Sequence, residues 1–242
     1  MKTIAMIPAR LDSERLPGKL MMDLGGLPII LKTYQNVVNS CLFDEVYVIT
    51  DSLIIFNLIK DNGGDVFMSA VKHESGSDRI AEFASKINSD IILNVQGDEP
   101  FIDKFSLKKL IDIFKNDHDK KIDLASLMQP FDKIKDVESS SNVKVVVDND
   151  NFALYFSRSI IPFNRLTNDK PNYFKHIGVY AFKKEALMYF YNSKPSNLEK
   201  YEKLEQLRFL ENGKKIKMVE TIYKGIGIDT MEDLINARKI IW

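Results

Sequence analysis

Through its first half the chain alternates short β-branched runs with segments of helical period, and that alternation restricts the fold more than any other feature. Residues 2–8, 45–50, 65–68, 90–95 and 123–128 read as strands, crowded with Val, Ile and aromatic side chains and bounded by polar turns. Between them lie helical segments at about 28–39, 52–61, 78–86 and 104–116. Pro28 suits the first turn of its helix, and Asn62-Gly63-Gly64 ends the next one. Strands separated by helices pair in parallel, because a parallel partner needs a crossover long enough to return the chain to the same edge. The expected fold is therefore α/β, a mixed and mostly parallel sheet flanked by helices.

The second half changes character. Asn142–Asp148 and Phe152–Phe156 flank Asn149-Asp150-Asn151, which reads as an antiparallel hairpin. Residues 160–175 carry two prolines and little period, and read as an excursion from the sheet. A strand at 174–182, helices at 184–192 and 198–211, and a strand at 216–221 follow. Thr230 caps a C-terminal helix with Glu232 and Asp233 in its first turn.

Composition narrows the function. With 242 residues, 45% of them apolar, the chain can bury a full core. Lys+Arg and Asp+Glu are both 34, so no net charge argues for nucleic acid or a membrane surface. Cys41 is the single cysteine, which excludes an internal disulfide and a multi-cysteine metal site; it is expected as a packed thiol at a helix end. No apolar run approaches the ~20 residues of a membrane span. The apolar run ending at Pro8 is too short for a secretory signal, so a cytoplasmic protein without membrane insertion is expected.

Four segments carry chemistry. The first strand runs into Ala9-Arg-Leu-Asp-Ser-Glu-Arg-Leu-Pro-Gly-Lys19, a loop with Arg10, Arg15 and Lys19 beside Ser13 and Gly18. Guanidinium forks and backbone N–H groups at a strand end can surround a polyphosphate. The loop is neither a Walker A sequence nor a Gly-x-Gly-x-x-Gly turn, so a nucleotide would be held by side-chain cations and a metal. Asn94-Val-Gln-Gly-Asp-Glu-Pro100 follows the strongest strand and delivers Asp98 at its carboxyl end, where open α/β sheets bind ligands. A carboxylate facing a phosphate loop suits Mg²⁺; an acidic turn cap is the alternative. Asp229, just before the Thr230 cap, could share that ion with Asp98, or be a plain acid at a helix N-terminus. Ser75-Gly76-Ser77 opens a helix whose free N–H groups can meet a base or phosphate, with Arg79 one turn in, though a capping loop would look the same.

Further on, Arg158 at a strand end can meet an anionic substrate and His176 can meet hydroxyls, while a lone His is more often structural. His118 reads as a solvated surface residue, and Glu205 with Arg208 as an i,i+3 surface pair. No Ser-His-Asp order, Gly-x-Ser-x-Gly elbow or His-Glu-x-x-His helix occurs. Phosphoryl or nucleotidyl transfer fits these residues best.

Seven motifs stand in order: Ile7–Lys19, Asn94–Pro100, Asn142–Val147, Ala153–Pro162, His176–Tyr180, Leu204–Arg208 and Gly227–Thr230. Over essentially the whole chain they resemble the 3-deoxy-manno-octulosonate cytidylyltransferase (CMP-Kdo synthetase) family. Ser77 stands where that family often has Thr, and Phe163 where it often has Trp. The resemblance implies a nucleotide-diphosphosugar-transferase fold, similar to glycosyltransferase A. It implies one domain over 1–242, about 1–130 binding nucleotide and about 131–242 serving the sugar, dimerisation and the second metal ligand. It implies Mg²⁺-dependent transfer of CMP from CTP to the acidic sugar Kdo, for lipopolysaccharide synthesis, by a homodimer joined largely through residues near 160–190.

By the same resemblance Asp98 and Asp229 hold the metal, and Arg10, Arg15 and Lys19 stabilise the leaving pyrophosphate. Pro8, Ala9, Arg10, Ser13, Lys19, Ser75, Gly76, Arg79, Gln96 and Asp98 bind CTP. Gln96, Arg158, His176, Tyr180, Glu205 and Gln206 surround the sugar. The 8-amino analogue of Kdo, a nonulosonate, or a nucleotide-binding module without turnover remain open as alternatives.

Overall fold

The computed structural model describes residues 1–242 except 14, 72, 74, 167–170, 224–226 and 242. In chain order the elements are β1 (Thr3–Ala9), α1 (Ile29–Asn39), β2 (Glu45–Thr50), α2 (Leu53–Asp61), β3 (Asp65–Met68), α3 (Gly76–Ala84), β4 (Ile91–Asn94), α4 (Lys104–Lys115), β5 (Leu124–Pro130), α5 (Ile134–Glu138), β6 (Lys144–Val147), β7 (Ala153–Ser157), β8 (Phe174–Lys183), α6 (Lys184–Asn192), α7 (Asn197–Glu202), α8 (Gln206–Glu211), β9 (Ile216–Glu220) and α9 (Met231–Ile241). A 3-10 turn, Lys19–Met21, lies between β1 and α1. The chain divides into two compact units: residues 1–108, 182–191 and 223–242, and residues 109–181 and 192–222.

In the first unit β1 is central and every one of its seven residues is buried. It pairs in parallel with β2, from Ile4 opposite Glu45 to Ala9 opposite Thr50, and with β4, from Thr3 opposite Ile91 to Met6 opposite Asn94. β3 extends β2 in parallel, giving the order β3-β2-β1-β4. A parallel strand covered on both faces reads as a continuous apolar run, which is how residues 3–9 read. Because all four strands point the same way, the loops after β1, β2, β3 and β4 leave from one edge. Thr33 on α1 donates to the carbonyl of Gly97 at 2.9 Å and fixes the loop after β4.

In the second unit β5 and β9 are parallel, with Leu124 opposite Ile216 and Met128 opposite Glu220. β8 lies on the other side of β5. β6 is antiparallel to β7 and to β8, with Lys144 opposite Ser157 on one side and Lys175 on the other. The expected hairpin turns at Asn151, which adopts φ 57°, while the Asp148 carboxylate accepts from the N–H groups of Asp150 and Phe152.

Three expectations need correction. The helix expected over 198–211 is two helices, α7 and α8, because Lys203 turns left-handed at φ 54° and donates its N–H to Glu199, closing α7. Neither Gly nor Pro marks that break. The helix read over 78–86 runs from Gly76 to Ala84, with Ser75 Oγ accepting the Asp78 N–H at 3.1 Å as its cap, so Ser75-Gly76-Ser77 opens it as expected. Cys41 stands at the end of α1 as expected but is exposed, at φ 54°, so the thiol is not packed. Among the described residues no helix is long and apolar enough to cross a membrane.

Candidate active site

The loop after β1 is pinned by buried Leu16 and Leu20 and by the Gly18 N–H, which donates to Leu11 at 3.2 Å. Gly18 takes φ 69°, the left-handed turn that starts the 3-10 turn at Lys19. The Lys19 ammonium donates to the Asp98 carboxylate and, at 2.8 Å, to Asp229 Oδ1. Arg15 approaches the same Asp229 oxygen at 2.9 Å, and Arg10 is exposed nearby in sequence on the same loop.

Each carboxylate is delivered by a close backbone approach. A Cβ at Gly97 would stand 3.1 Å from the carbonyl of Pro8, so glycine lets the strand exit lie on the end of β1. The Ile228 N–H donates to the carbonyl of Asp98 at 3.0 Å. A Cβ at Gly227 would stand 2.8 Å from Glu99 Oε1, so the segment carrying Asp229 runs close against the Glu99 side chain. Glu99 accepts from the Tyr223 hydroxyl at 3.3 Å. Burial, with the Glu99 charge beside it, pushes that phenol far up, so it stays a donor. Past Asp229, Thr230 and Asp233 cap α9 reciprocally, as the sequence predicts.

Burial disfavours the Lys19 charge, but Asp98 and then Asp229 outweigh it and raise the ammonium above its ordinary 10.5. Lys19 is therefore a cation at neutral pH, held between two carboxylates. The donor set suits a hard divalent ion. Mg²⁺ in nucleotide enzymes takes one or two protein carboxylates and completes its shell with phosphate and water. Among the described residues no group of three His, Cys, Asp or Glu side chains is placed to hold a metal ion. Asp98 and Asp229 are the residues that would hold it.

Beside this cluster stands the N-terminus of α3. A Cβ at Gly76 would lie 3.1 Å from Pro8 Cγ and 3.3 Å from Gln96 Oε1, so Gly76 lies close to both side chains. Gln96 donates to Asn94, which donates to Ser77. Arg79, 3% exposed, pairs with Asp51 at 2.8 Å through Nη2. Its Nη1 is buried with no hydrogen-bond partner among the described residues. A buried guanidinium donor left unmade is costly and is a place for a ligand's acceptor. Ala9 is buried and Ser13 half-buried on the loop after β1.

In the second unit the expected sugar-side residues form a neutral chain. Gln206 donates to His176 Nδ1 at 3.4 Å, and Tyr180 donates to Gln206 Oε1 at 3.2 Å. His176 Nε2 then carries the ring proton and donates to Ser126 Oγ at 2.9 Å, and that hydroxyl donates on to Val179. Burial holds the imidazole neutral, pushing its pKa down to about 3, and pushes the Tyr180 phenol well up. Arg158 lies apart from this chain: its Nε donates to the carbonyl of Glu202 at 2.8 Å and Nη1 to that of Ser140 at 3.0 Å. The Glu202 carboxylate accepts from Ser157 and from the Arg158 N–H. The expected Glu205–Arg208 surface pair needs correcting, because Arg208 is buried and forks onto Glu199 at 2.5 and 2.7 Å. Glu205 is half-buried just before α8, and His118 is exposed as expected.

Asp51, Ser126 and Glu202 were not singled out from sequence. A Ser inside a strand and a Glu at a helix end carry no local mark of a partner 50 or 45 residues away.

Residues 4–216 match the family described as cytidylyltransferase. The chain is 56% identical over 241 residues to a 3-deoxy-manno-octulosonate cytidylyltransferase of Flavobacterium johnsoniae, covering 100% of this chain and 99% of that one. It is 54% identical over 240 residues to the protein of the same name from Christiangramia forsetii, covering 99% and 97%. Among solved structures, a CMP:2-keto-3-deoxy-manno-octonic acid synthetase complexed with CTP matches at 36% identity and a TM-score of 0.94, over 100% of this chain and 98% of that one. A putative glucose-1-phosphate thymidylyltransferase from Bacillus anthracis, at 15% identity and a TM-score of 0.69 over 98% and 94%, shares the fold alone.

Proposed function

The chain belongs to the cytidylyltransferase family, and from that premise we propose that it transfers CMP from CTP to the anomeric 2-hydroxyl of 3-deoxy-manno-octulosonate, releasing pyrophosphate. The observation that carries the reading is the meeting of Asp98 and Asp229 on the Lys19 ammonium, across 79 and 210 residues of chain. Such an arrangement supports in-line nucleotidyl transfer, which needs positioning and charge neutralisation more than covalent help.

Asp98 and Asp229 would hold Mg²⁺. When bound, that ion would lower the pKa of the attacking sugar hydroxyl and neutralise charge at the α-phosphate. Lys19, Arg15 and Arg10 stabilise the charge that gathers on the departing pyrophosphate. Lys19 arrives already ionised, so it gives charge without a proton transfer. Pro8, Ala9, Ser13, Ser75, Gly76, Arg79 and Gln96 take the rest of CTP. The contact of Gly76 with Pro8 and Gln96 supports a main-chain surface that reads cytosine against uracil, and the orphan Nη1 of Arg79 offers it a donor.

The acidic sugar is assigned to Gln96, Arg158, His176, Tyr180, Glu205 and Gln206. The neutrality of His176 supports a role in hydroxyl recognition rather than charge pairing. Arg158 supplies the positive charge for the sugar's carboxylate. Exposed Ile160, Phe163 and Leu166 support a homodimer contact in the irregular segment after β7. A place in cytoplasmic lipopolysaccharide synthesis follows from the substrate.

The test is pyrophosphate release from CTP with Mg²⁺, offering Kdo and its 8-amino analogue side by side. Metal-dependent release with Kdo and none with UTP is the expected result. Release mainly with the amino sugar would keep the chemistry and change the substrate. CTP binding without release from any acidic sugar would overturn the enzymatic reading in favour of a binding module. Sedimentation at micromolar concentration tests the dimer.

A further inference from the structure

A part-buried polar cluster that joins the stretch after β3 to α3 has no part in the chemistry above. Glu82 lies on α3 with its side chain 14% exposed, and His73 lies before α3 with its side chain 6% exposed. His73 Nε2 is 2.7 Å from Glu82 Oε2. The same oxygen accepts the Ser69 hydroxyl at 2.6 Å, and Oε1 accepts the Ala70 N–H at 3.3 Å. One carboxylate thus gathers three groups from the stretch that connects β3 to α3. Burial alone would raise the Glu82 carboxyl; the Ser69 hydroxyl, His73 and the Ala70 N–H outweigh it and hold it below 4.5.

The cluster is joined to the sheet and to α3. Ser69 continues the sheet, its N–H donating to Thr50 at 2.7 Å. Phe67 of β3 stacks on Phe83, the neighbour of Glu82, with ring centroids 5.0 Å apart and planes 15° from parallel. Two residues beyond His73, Ser75 caps α3 and Gly76 makes its tight approach to Pro8 and Gln96. His73 thus lies only two residues along the chain from the cap and the close approach that form the surface assigned to cytidine.

We propose that Glu82, acting with His73, is a positioning residue for nucleotide selection: it straps the chain between β3 and α3 onto α3 and so sets where Ser75 and Gly76 face the base. The inference rests on the cytidylyltransferase reading. Discrimination of cytosine from uracil requires fixed donors and acceptors that match one base edge and leave buried groups unpaired with the other. Fixed groups on a connecting segment need a support that cannot drift, since hydrogen bonds that read a base edge weaken steeply once distance and angle leave their narrow range. A part-buried network around one carboxylate gives that support, because losing the carboxylate strands all its partners at once.

The experiment compares Glu82→Leu, Glu82→Gln and His73→Asn with the unaltered enzyme. It reads KM for CTP, KM for the sugar, kcat, the CTP-to-UTP ratio of kcat/KM, and amide exchange at Ala70. Glu82→Leu is expected to raise KM for CTP about tenfold or more, to lower the CTP-to-UTP ratio, and to leave kcat and the sugar KM within about twofold. Glu82→Gln, whose carbonyl can still accept from Ser69 or Ala70, should recover part of the loss, and it serves as the milder variant if Glu82→Leu does not fold. Exchange at Ala70 should quicken in both. A lower melting temperature with unchanged CTP KM and unchanged base ratio would overturn the proposal and leave Glu82 a structural group only. Failure of the unaltered enzyme to bind or turn over CTP would sink the cytidylyltransferase reading and this inference together, which separates the two failures.

Discussion

Lys19 in the first unit and Lys144 in the second are both withdrawn from water, with 12% of the Lys19 side chain and none of Lys144 exposed, yet they titrate in opposite directions. Burial disfavours the charge on each. At Lys19 the two carboxylates outweigh burial and the pKa rises. At Lys144 burial prevails, the attraction of Glu202 being opposed by Arg158, and the pKa falls. Lys144 spends its three donors on backbone carbonyls, those of Ser139, Asn142 and Arg158. The difference separates two uses of one side chain. An ammonium between two carboxylates can be exchanged for another cation without moving backbone. An ammonium among three carbonyls is a staple, and here it ties the entry of β6 to the exit of β7 at Arg158.

The sharpest break of that comparison is at the exchangeable site. Asp98→Asn should lower turnover by about 10²–10³-fold while the melting temperature moves by no more than about 2 °C. Near-normal Mg²⁺-dependent pyrophosphate release from that variant would remove Asp98 from the metal site. The staple should behave in the reverse way. Lys144→Met leaves three carbonyls without a donor and should cost about 2–4 kcal/mol, read as a lowered urea midpoint. A wild-type midpoint would mean that the carbonyls find other partners.

Gly227→Ala tests delivery rather than charge. Its Cβ would stand 2.8 Å from Glu99 Oε1, so Asp229 should be displaced and the Mg²⁺ requirement raised about tenfold, as a magnesium titration of initial rate would read. An unchanged titration would show that Glu99 yields instead. The smallest effect concerns pH. His176 has a folded pKa of about 3 against 6.5 for the free side chain, so below pH 6.5 the unfolded chain binds a proton the folded chain does not. Stability from this group is full above that pH and declines as pH falls toward 3. His176→Gln should flatten the acid side of a stability profile between those limits, and an unchanged slope would show that the imidazole is not held neutral.

Local order was legible wherever it depended on neighbours in sequence. β2 lies at Glu45–Thr50 as its residues predict, and Thr230 caps its helix as expected. Asp98 sits at a strand end because Gly97 and Pro100 say that the ladder stops there. What could not be read was partnership. Glu205 and Arg208 are spaced as a helical surface pair, but Arg208 is buried and the turn at Lys203 brings Glu199 to it. Lys144 sits in an apolar strand with no mark of the carbonyls around it. Glu82 looks like an ordinary helix-surface acid, and its three partners lie nine to thirteen residues back, on a segment without period.

The amino-acid sequence by itself determined the alternation of strand and helix, the cationic loop after β1, and the family, because period, caps and motifs are written in residues close together. Tertiary structure alone decided that Asp98 and Asp229 share one ammonium, that His176 is neutral, and that one of two buried lysines is raised while the other is lowered. Charge and hydrogen bonding act over a few ångströms of space. Only the parallel pairing of strands, and the glycines at 97 and 227 that permit close approach, bring groups so distant in the chain within that reach.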